Sequence, residues 1–179
     1  MRIAPNKTGR IFLVGPMGVG KTTIGRMLAR ELKLEFVDCD LEIEERTGAS
    51  VAWIFDVEGE EGFRQRETQM LDELTSRDRI LLATGGGAVL RQQNRDYLKR
   101  GTVVHLDSSV DMLVRRTAKD KKRPLLQNSD PRQVLDKVKR DRDPLYQKVS
   151  DIRVFVGNSN SRNVVNQILK ELEQEGLVE

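Results

Sequence analysis

The chain is poor in the residues that cross-link a fold or act alone in catalysis. Among its 179 residues Cys39 is the only cysteine and His105 the only histidine. A lone cysteine excludes an intramolecular disulfide and suits a reducing compartment. No apolar run approaches the roughly 18 residues of a membrane-spanning helix, so no membrane association is expected. The first residues, Met1-Arg2-Ile3-Ala4-Pro5-Asn6-Lys7, lack the apolar stretch of a signal peptide, and a cytoplasmic location is expected. Repeats of fixed period and low-complexity tracts are absent. Net charge is only +3, too little to argue for nucleic acid; a basic patch facing phosphorylated or carboxylated small molecules explains it as well.

Against this background one stretch stands out: Gly15-Pro16-Met17-Gly18-Val19-Gly20-Lys21-Thr22. The apolar run 11–14 precedes it and a helix-like run from Thr23 follows. This strand–GxxxxGK[ST]–helix order is that of a phosphate-binding P-loop. Backbone N–H groups of the turn cradle phosphate oxygens, helped by the helix N-terminus behind them. Lys21 reaches the β- and γ-phosphates, and the Thr22 hydroxyl suits Mg²⁺.

Further along, apolar strand runs at 11–14, 35–40, 79–84, 102–106 and 152–156 alternate with helical periodicity. That pattern predicts one α/β domain, a five-stranded parallel sheet layered between helices. Residues 1–9 read as a short frayed end. The second strand run ends in Asp38 and Asp40, which share a face of an extended chain at the strand end where ligands bind in such sheets. The competing reading makes one of them a helix N-cap. Cys39 between them reads as a packed small hydrophobe. Trp53, Phe55 and Phe63 read as core. Arg64 with Glu60 or Glu67 has ion-pair spacing on a helix. Gly85-Gly86-Gly87 after the third strand suggests close approach of a ligand or of backbone. His105 reads as packed or surface histidine, not as a base. Residues 119–130 form a basic polar stretch of the kind that closes over phosphates. Asp130-Pro131 starts a helix that Pro144 should end or kink.

A P-loop alone admits ATPase, GTPase, kinase or motor. The Asn/Thr-Lys-x-Asp tetrapeptide of GTPases is missing, which favours a small-molecule kinase. Taken in order, 15–25, Phe36-Val37-Asp38-Cys39-Asp40, Phe63-Arg64-Gln65-Arg66-Glu67, Gly85-Gly86-Gly87, Lys122-Arg123-Pro124-Leu125-Leu126 and Arg142-Asp143-Pro144-Leu145-Tyr146 resemble the bacterial shikimate kinases. The resemblance covers about residues 10–172. It implies a P-loop kinase fold of the nucleoside monophosphate kinase type, with a substrate-binding subdomain at about 38–67 and a mobile lid at about 118–130. It implies transfer of the γ-phosphoryl of ATP to the 3-hydroxyl of shikimate, with Mg²⁺ as cofactor.

The same resemblance distributes roles. Gly18, Val19, Gly20, Lys21, Thr22 and Thr23 hold ATP, with Arg116 beside the adenine and 159–162 across from it. Thr22 and, through water, Asp38 serve the metal. Asp40, Arg64, Gly86, Gly87 and Arg142 hold shikimate, with Phe55, Phe63 and Glu67 as wall and support. Lys21, Asp40 and Arg123 form the catalytic set, Asp40 accepting or holding the hydroxyl proton and Arg123 folding from the lid over the phosphates. Expected partners are ATP/ADP and shikimate, with neither nucleic acid nor membrane, on a monomer. Two other readings are a gluconate-type kinase and, more remotely, a nucleotide-switched nucleic-acid binder.

Overall fold

The computed structural model describes residues 1–4, 8–118 and 130–179. Among them five strands alternate with seven helices: β1 (Ile11–Val14), α1 (Lys21–Leu32), β2 (Glu35–Asp38), α2 (Cys39–Thr47), α3 (Val51–Leu74), β3 (Ile80–Ala83), α4 (Gln92–Leu98), β4 (Thr102–Asp107), α5 (Val110–Thr117), α6 (Pro131–Val149), β5 (Ile152–Phe155) and α7 (Ser161–Gln174). The strands pair in the order β2-β3-β1-β4-β5. All pairings are parallel, with Ile11 beside Leu81 and Thr102. The expected sheet is therefore the observed one.

The sheet is parallel because both of its faces are covered. Along β1, Ile11 and Leu13 join one apolar cluster, with Ile24, Leu28 and Leu32 of α1 and Val165 and Ile168 of α7. Phe12 and Val14 join the other, with Ile43 of α2, Phe63 and Leu71 of α3 and Leu98 of α4. The alternation follows from the two-residue period of a strand. α1 lies close on its face: a β-carbon at Gly25 would come within 2.7 Å of the Phe36 ring and 3.2 Å of Leu13 and Leu81 side chains.

Four local expectations are corrected. β2 stops at Asp38, because that side chain caps α2, so Asp38 and Asp40 do not share a strand face. Pro144 neither ends nor breaks α6, which runs to Val149. Pro144 and Arg140 are both exposed, so water can serve the carbonyl left without a donor, while buried Tyr146 anchors the last turns. Trp53 is 52% exposed; in the first turn of α3 buried Ile54 and half-buried Val51 and Phe55 face inward, which turns position 53 outward. The first residues are not frayed: Ile3 pairs with Val178, and Arg2 and Glu179 exchange backbone hydrogen bonds of 2.8 and 2.9 Å. The span of α3 is itself two helices joined across a kink. Ser50 caps the first, and Gly59 interrupts the helical path at φ 73° and ψ 176°.

Candidate active site

Parallel strands end on one edge of the sheet, so the segments that follow β1, β2 and β3 meet there. They line a cleft of about 610 Å³, completed by α3, Arg116 of α5 and Arg142 of α6. β1 lies between β3 and β4, the position where the chain departs to opposite sides and leaves a crevice.

One half of the cleft is the turn after β1. A β-carbon at Gly15 (φ 147°) would stand 2.2 Å from the Leu106 carbonyl oxygen, so only glycine fits. Gly20 precedes α1 in the left-handed region (φ 103°), and no side chain caps the helix. Nor does its first turn carry an acid. The N-terminal N–H groups thus face the cleft without a protein anion, which suits phosphate. Buried Lys21 donates from Nζ to the carbonyls of Gly15 (2.7 Å) and Pro16 (2.9 Å). Arg116 donates to the Val19 carbonyl at 3.0 Å, which ties α5 to the turn.

Asp38 joins this half to the other. Its Oδ2 accepts from the Thr22 hydroxyl at 2.6 Å. Its Oδ1 accepts from the backbone N–H groups of Asp40 (3.1 Å) and Leu41 (3.3 Å). One acid therefore caps, and the other is left over. Asp40 Oδ1 is sealed from solvent and has no hydrogen-bond partner among the described residues. Burial, then the neighbouring Glu67 and Asp38 carboxylates, push the Asp40 carboxyl up to about 7, against the pull of Lys21 and Arg64. A carboxyl poised near neutrality, unpartnered and inside a cleft, has the properties of a proton acceptor.

Arg64 and Glu67 sit beside it on α3. Glu67 is fully buried, and Arg64 is 7% exposed. Arg64 donates from Nη1 to Glu67 Oε1 at 2.9 Å. Burial raises the Glu67 carboxyl, and the Arg64 charge partly opposes the rise. Both expected ion pairs of Arg64 are present, since Nη2 also meets Glu60 at 3.2 Å. Gly87 packs against the guanidinium so tightly that a β-carbon would stand 2.3 Å from Nη2. A β-carbon at Gly85 would stand 2.9 Å from Asp40 Oδ1. Gly85 and Gly87 are therefore set by close approach to charged side chains, and Gly86 by the Met17 backbone nitrogen, 3.3 Å from where its β-carbon would be. Arg142, buried on α6, points its Nη1 toward Gly86, 3.6 Å from where a β-carbon would be. Phe55 and Phe63 line the same side with ring centroids 4.9 Å apart.

The structure thus brings together Lys21, Thr22, Thr23, Asp38, Asp40, Arg64, Gly86, Gly87, Arg116 and Arg142, with Gly18 and Gly20. Val19 contributes through its carbonyl, its side chain being core. Residues 159–162 do not line the cleft: Ser159 is exposed, Asn160 caps α7 and Arg162 pairs with Glu31 at 2.8 Å. Arg123 and the basic stretch 119–129 lie outside the described residues. His105 is packed as expected, its ring centroid 5.1 Å from that of Tyr146. Burial holds it neutral, its pKa pushed down to about 4.

Two contributors escaped sequence reasoning. The Thr84 hydroxyl donates to the Leu13 carbonyl at 2.9 Å and locks the glycine run to β1. The Tyr146 hydroxyl donates to the Gly86 carbonyl at 2.5 Å. Its one available signal was the four-residue spacing from Arg142, which stacks both on one face of a helix.

A family model described as shikimate kinase matches residues 17–173 of the chain. The chain belongs to the shikimate kinase family. It is 54% identical over 165 residues to a shikimate kinase of Vibrio cholerae, covering 92% of this chain and 95% of that protein. Among solved structures, a shikimate kinase from Acinetobacter baumannii in complex with shikimate is similar at TM-score 0.91 and 49% identity, covering 93% of this chain and 94% of that one. A gluconokinase from Sinorhizobium meliloti shares the fold at TM-score 0.63 but only 16% identity, covering 95% and 94%. The fold expected from sequence, a P-loop kinase with a central parallel sheet, is that of this family.

Proposed function

We infer that the chain transfers the γ-phosphoryl group of ATP to the 3-hydroxyl of shikimate, giving shikimate 3-phosphate and ADP. The observation that carries this reading is the two-sided cleft in a member of this family. An uncapped glycine-rich turn with Lys21 faces a second pocket holding two buried arginines and an unpartnered carboxyl. A guanidinium fork suits the acceptor's carboxylate, so Arg64 and Arg142 take that group. Backbone at Gly86 and Gly87 meets the ring at close range. Asp40 orients the 3-hydroxyl and takes its proton. The oxygen attacks the γ-phosphorus, the bond to the β-phosphate oxygen breaks, and ADP leaves.

Gly18, Val19, Gly20, Lys21, Thr22 and Thr23 hold the phosphates, and Arg116 stands at the nucleotide end. Mg²⁺ fits the donor set, a hydroxyl and a carboxylate oxygen 2.6 Å apart beside the phosphate turn, since it prefers oxygen ligands and keeps several waters. Thr22 would hold it directly and Asp38 through water; the ion would neutralise phosphate charge. Every residue assigned here comes from one chain, which suits a monomer, and the cytoplasm supplies both substrates.

Coupled ADP release with shikimate, gluconate and a nucleoside monophosphate tests the reading. Turnover on shikimate is expected; turnover on gluconate alone would overturn it. We assign Arg123, from its matching motif, to the transferring phosphoryl group. Arg123→Ala should lower kcat by about 10³-fold or more, the range of such arginines, and change either KM less. A change confined to the ATP KM would remove the role. Gly87→Ala should displace the Arg64 guanidinium and raise the shikimate KM more than about tenfold, leaving the ATP KM within about twofold; steady-state kinetics with each substrate varied reads both.

A further inference from the structure

Arg64 is held by two carboxylates of unlike permanence. Its Nη1 belongs to Glu67, a fully buried carboxylate on the same helix. Its Nε is sealed from solvent and has no hydrogen-bond partner among the described residues. Nε–H and one N–H of Nη2 point in parallel along one edge of the planar guanidinium, and that edge is the one a carboxylate grips with both oxygens. Nη2 is also engaged: it donates to Glu60 Oε1 at 3.2 Å. Glu60 differs from Glu67 in every respect that governs permanence. Its side chain is 53% exposed, whereas that of Glu67 is 0% exposed. The bond is long for a charge-assisted contact. Glu60 follows directly on Gly59, whose backbone leaves the helical path with nothing within 4 Å of a β-carbon built there. The exposure of the Glu60 side chain gives it room to swing out without disturbing Glu67.

We propose that Glu60 is a displaceable counter-ion at the acceptor pocket, holding Nη2 of Arg64 until the substrate carboxylate evicts it. This rests on the assignment of Arg64 to that carboxylate and adds what holds the place beforehand. The consequence is selectivity. A ligand that offers only a carboxylate gains little by exchanging one carboxylate for another. A ligand that also meets Asp40, Arg142 and the Gly86-Gly87 backbone gains those contacts and completes the exchange. Glu60 therefore sets a threshold that simple organic anions fail to cross, at a modest cost in affinity for the substrate.

Glu60→Gln removes the charge, keeps the shape and lies at an exposed position, so the fold is retained. The shikimate KM should fall by about two- to fivefold, the worth of a half-exposed ion pair, with the ATP KM unchanged. Benzoate, a flat six-membered ring carrying a carboxylate, should inhibit the variant more strongly by a similar factor. Benzamide, its neutral counterpart, should not distinguish variant from wild type. Glu58→Gln breaks an exposed pair with Arg66 and serves as a control with an unaltered shikimate KM. An unchanged or raised shikimate KM in Glu60→Gln would overturn the proposal. So would equal gains for benzoate and benzamide, which would mean a wider cleft and not a vacated arginine. A wild-type chain without shikimate turnover would instead remove the functional assignment beneath it, a separate result read from the same assay.

Discussion

Asp40→Asn should lower kcat/KM for shikimate by about 10²- to 10⁴-fold, the usual worth of a positioned acid–base group. The same substitution should stabilise the protein. Both effects have one origin. Wild-type Asp40 Oδ1 is buried without a partner, and its carboxyl is pushed up to about 7. Its value in the unfolded chain is near 3.8. Between these limits the folded protein binds a proton that the unfolded chain does not, so stability falls as pH rises from about 4 to 7 and stays reduced above 7. A tenfold bias between protonation states is worth about 1.4 kcal/mol. The Asn variant should thus gain about 1–3 kcal/mol at pH 8, shrinking toward zero at pH 4, as read by urea denaturation at several pH values. In wild type, kcat/KM should rise with pH through an apparent pKa near 7, and that limb should vanish in the variant. Loss of less than tenfold, or an unaltered pH profile, would remove Asp40 from the role of base.

Arg64→Ala and Arg142→Ala should each raise the shikimate KM by about 30-fold or more, since truncating one partner of a buried charged contact costs about 2–5 kcal/mol. The ATP KM should hardly change. The two variants part company in stability. Removing Arg64 strands Glu67, a buried carboxylate whose partner it is, and breaking a buried pair from one side costs about 3–5 kcal/mol. Glu67 protonation limits that loss, so it should be smaller at pH 5 than at pH 8. Arg142 has no carboxylate in ion-pair contact among the described residues, and Arg142→Ala should be the milder variant in a thermal melt. Arg64→Ala/Glu67→Gln should recover stability without recovering shikimate affinity. Equal weakening of ATP and shikimate in the single variants would place the arginines elsewhere in the cleft.

Much of this site was legible because its signals are local. The P-loop occupies consecutive residues, and the sheet shows as short apolar runs buried on both faces. Asp38 and Asp40 were recognisable as a pair, yet the division of labour between them depends on where β2 stops, and that is decided by the cap Asp38 itself supplies. Arg64 read in isolation is an ordinary helix-surface ion pair. Only burial of Glu67 beneath it and Gly87 over its face set the pair apart as a candidate binding element. Of the two outcomes expected at Pro144, an end or a kink, the end does not occur, because packing of Tyr146 keeps the helix going.

The hydrogen bond from Tyr146 to Gly86 spans 60 residues of chain. The phosphate turn, its helix and Asp38 lie within a short stretch from Ile11 to Asp38. The acceptor pocket instead requires the turn after β3 and the far half of α6 to find each other. Closing so long a loop costs chain entropy before any contact rewards it. The phosphate turn is not local either, since Arg116 reaches the Val19 carbonyl across 97 residues, but its contacts need less of the chain. A chain emerging from synthesis can complete its phosphate turn once residue 116 is available, whereas the proposed acceptor pocket waits until residue 146 has docked, so recognition of the acceptor would report that the second half of the chain has folded.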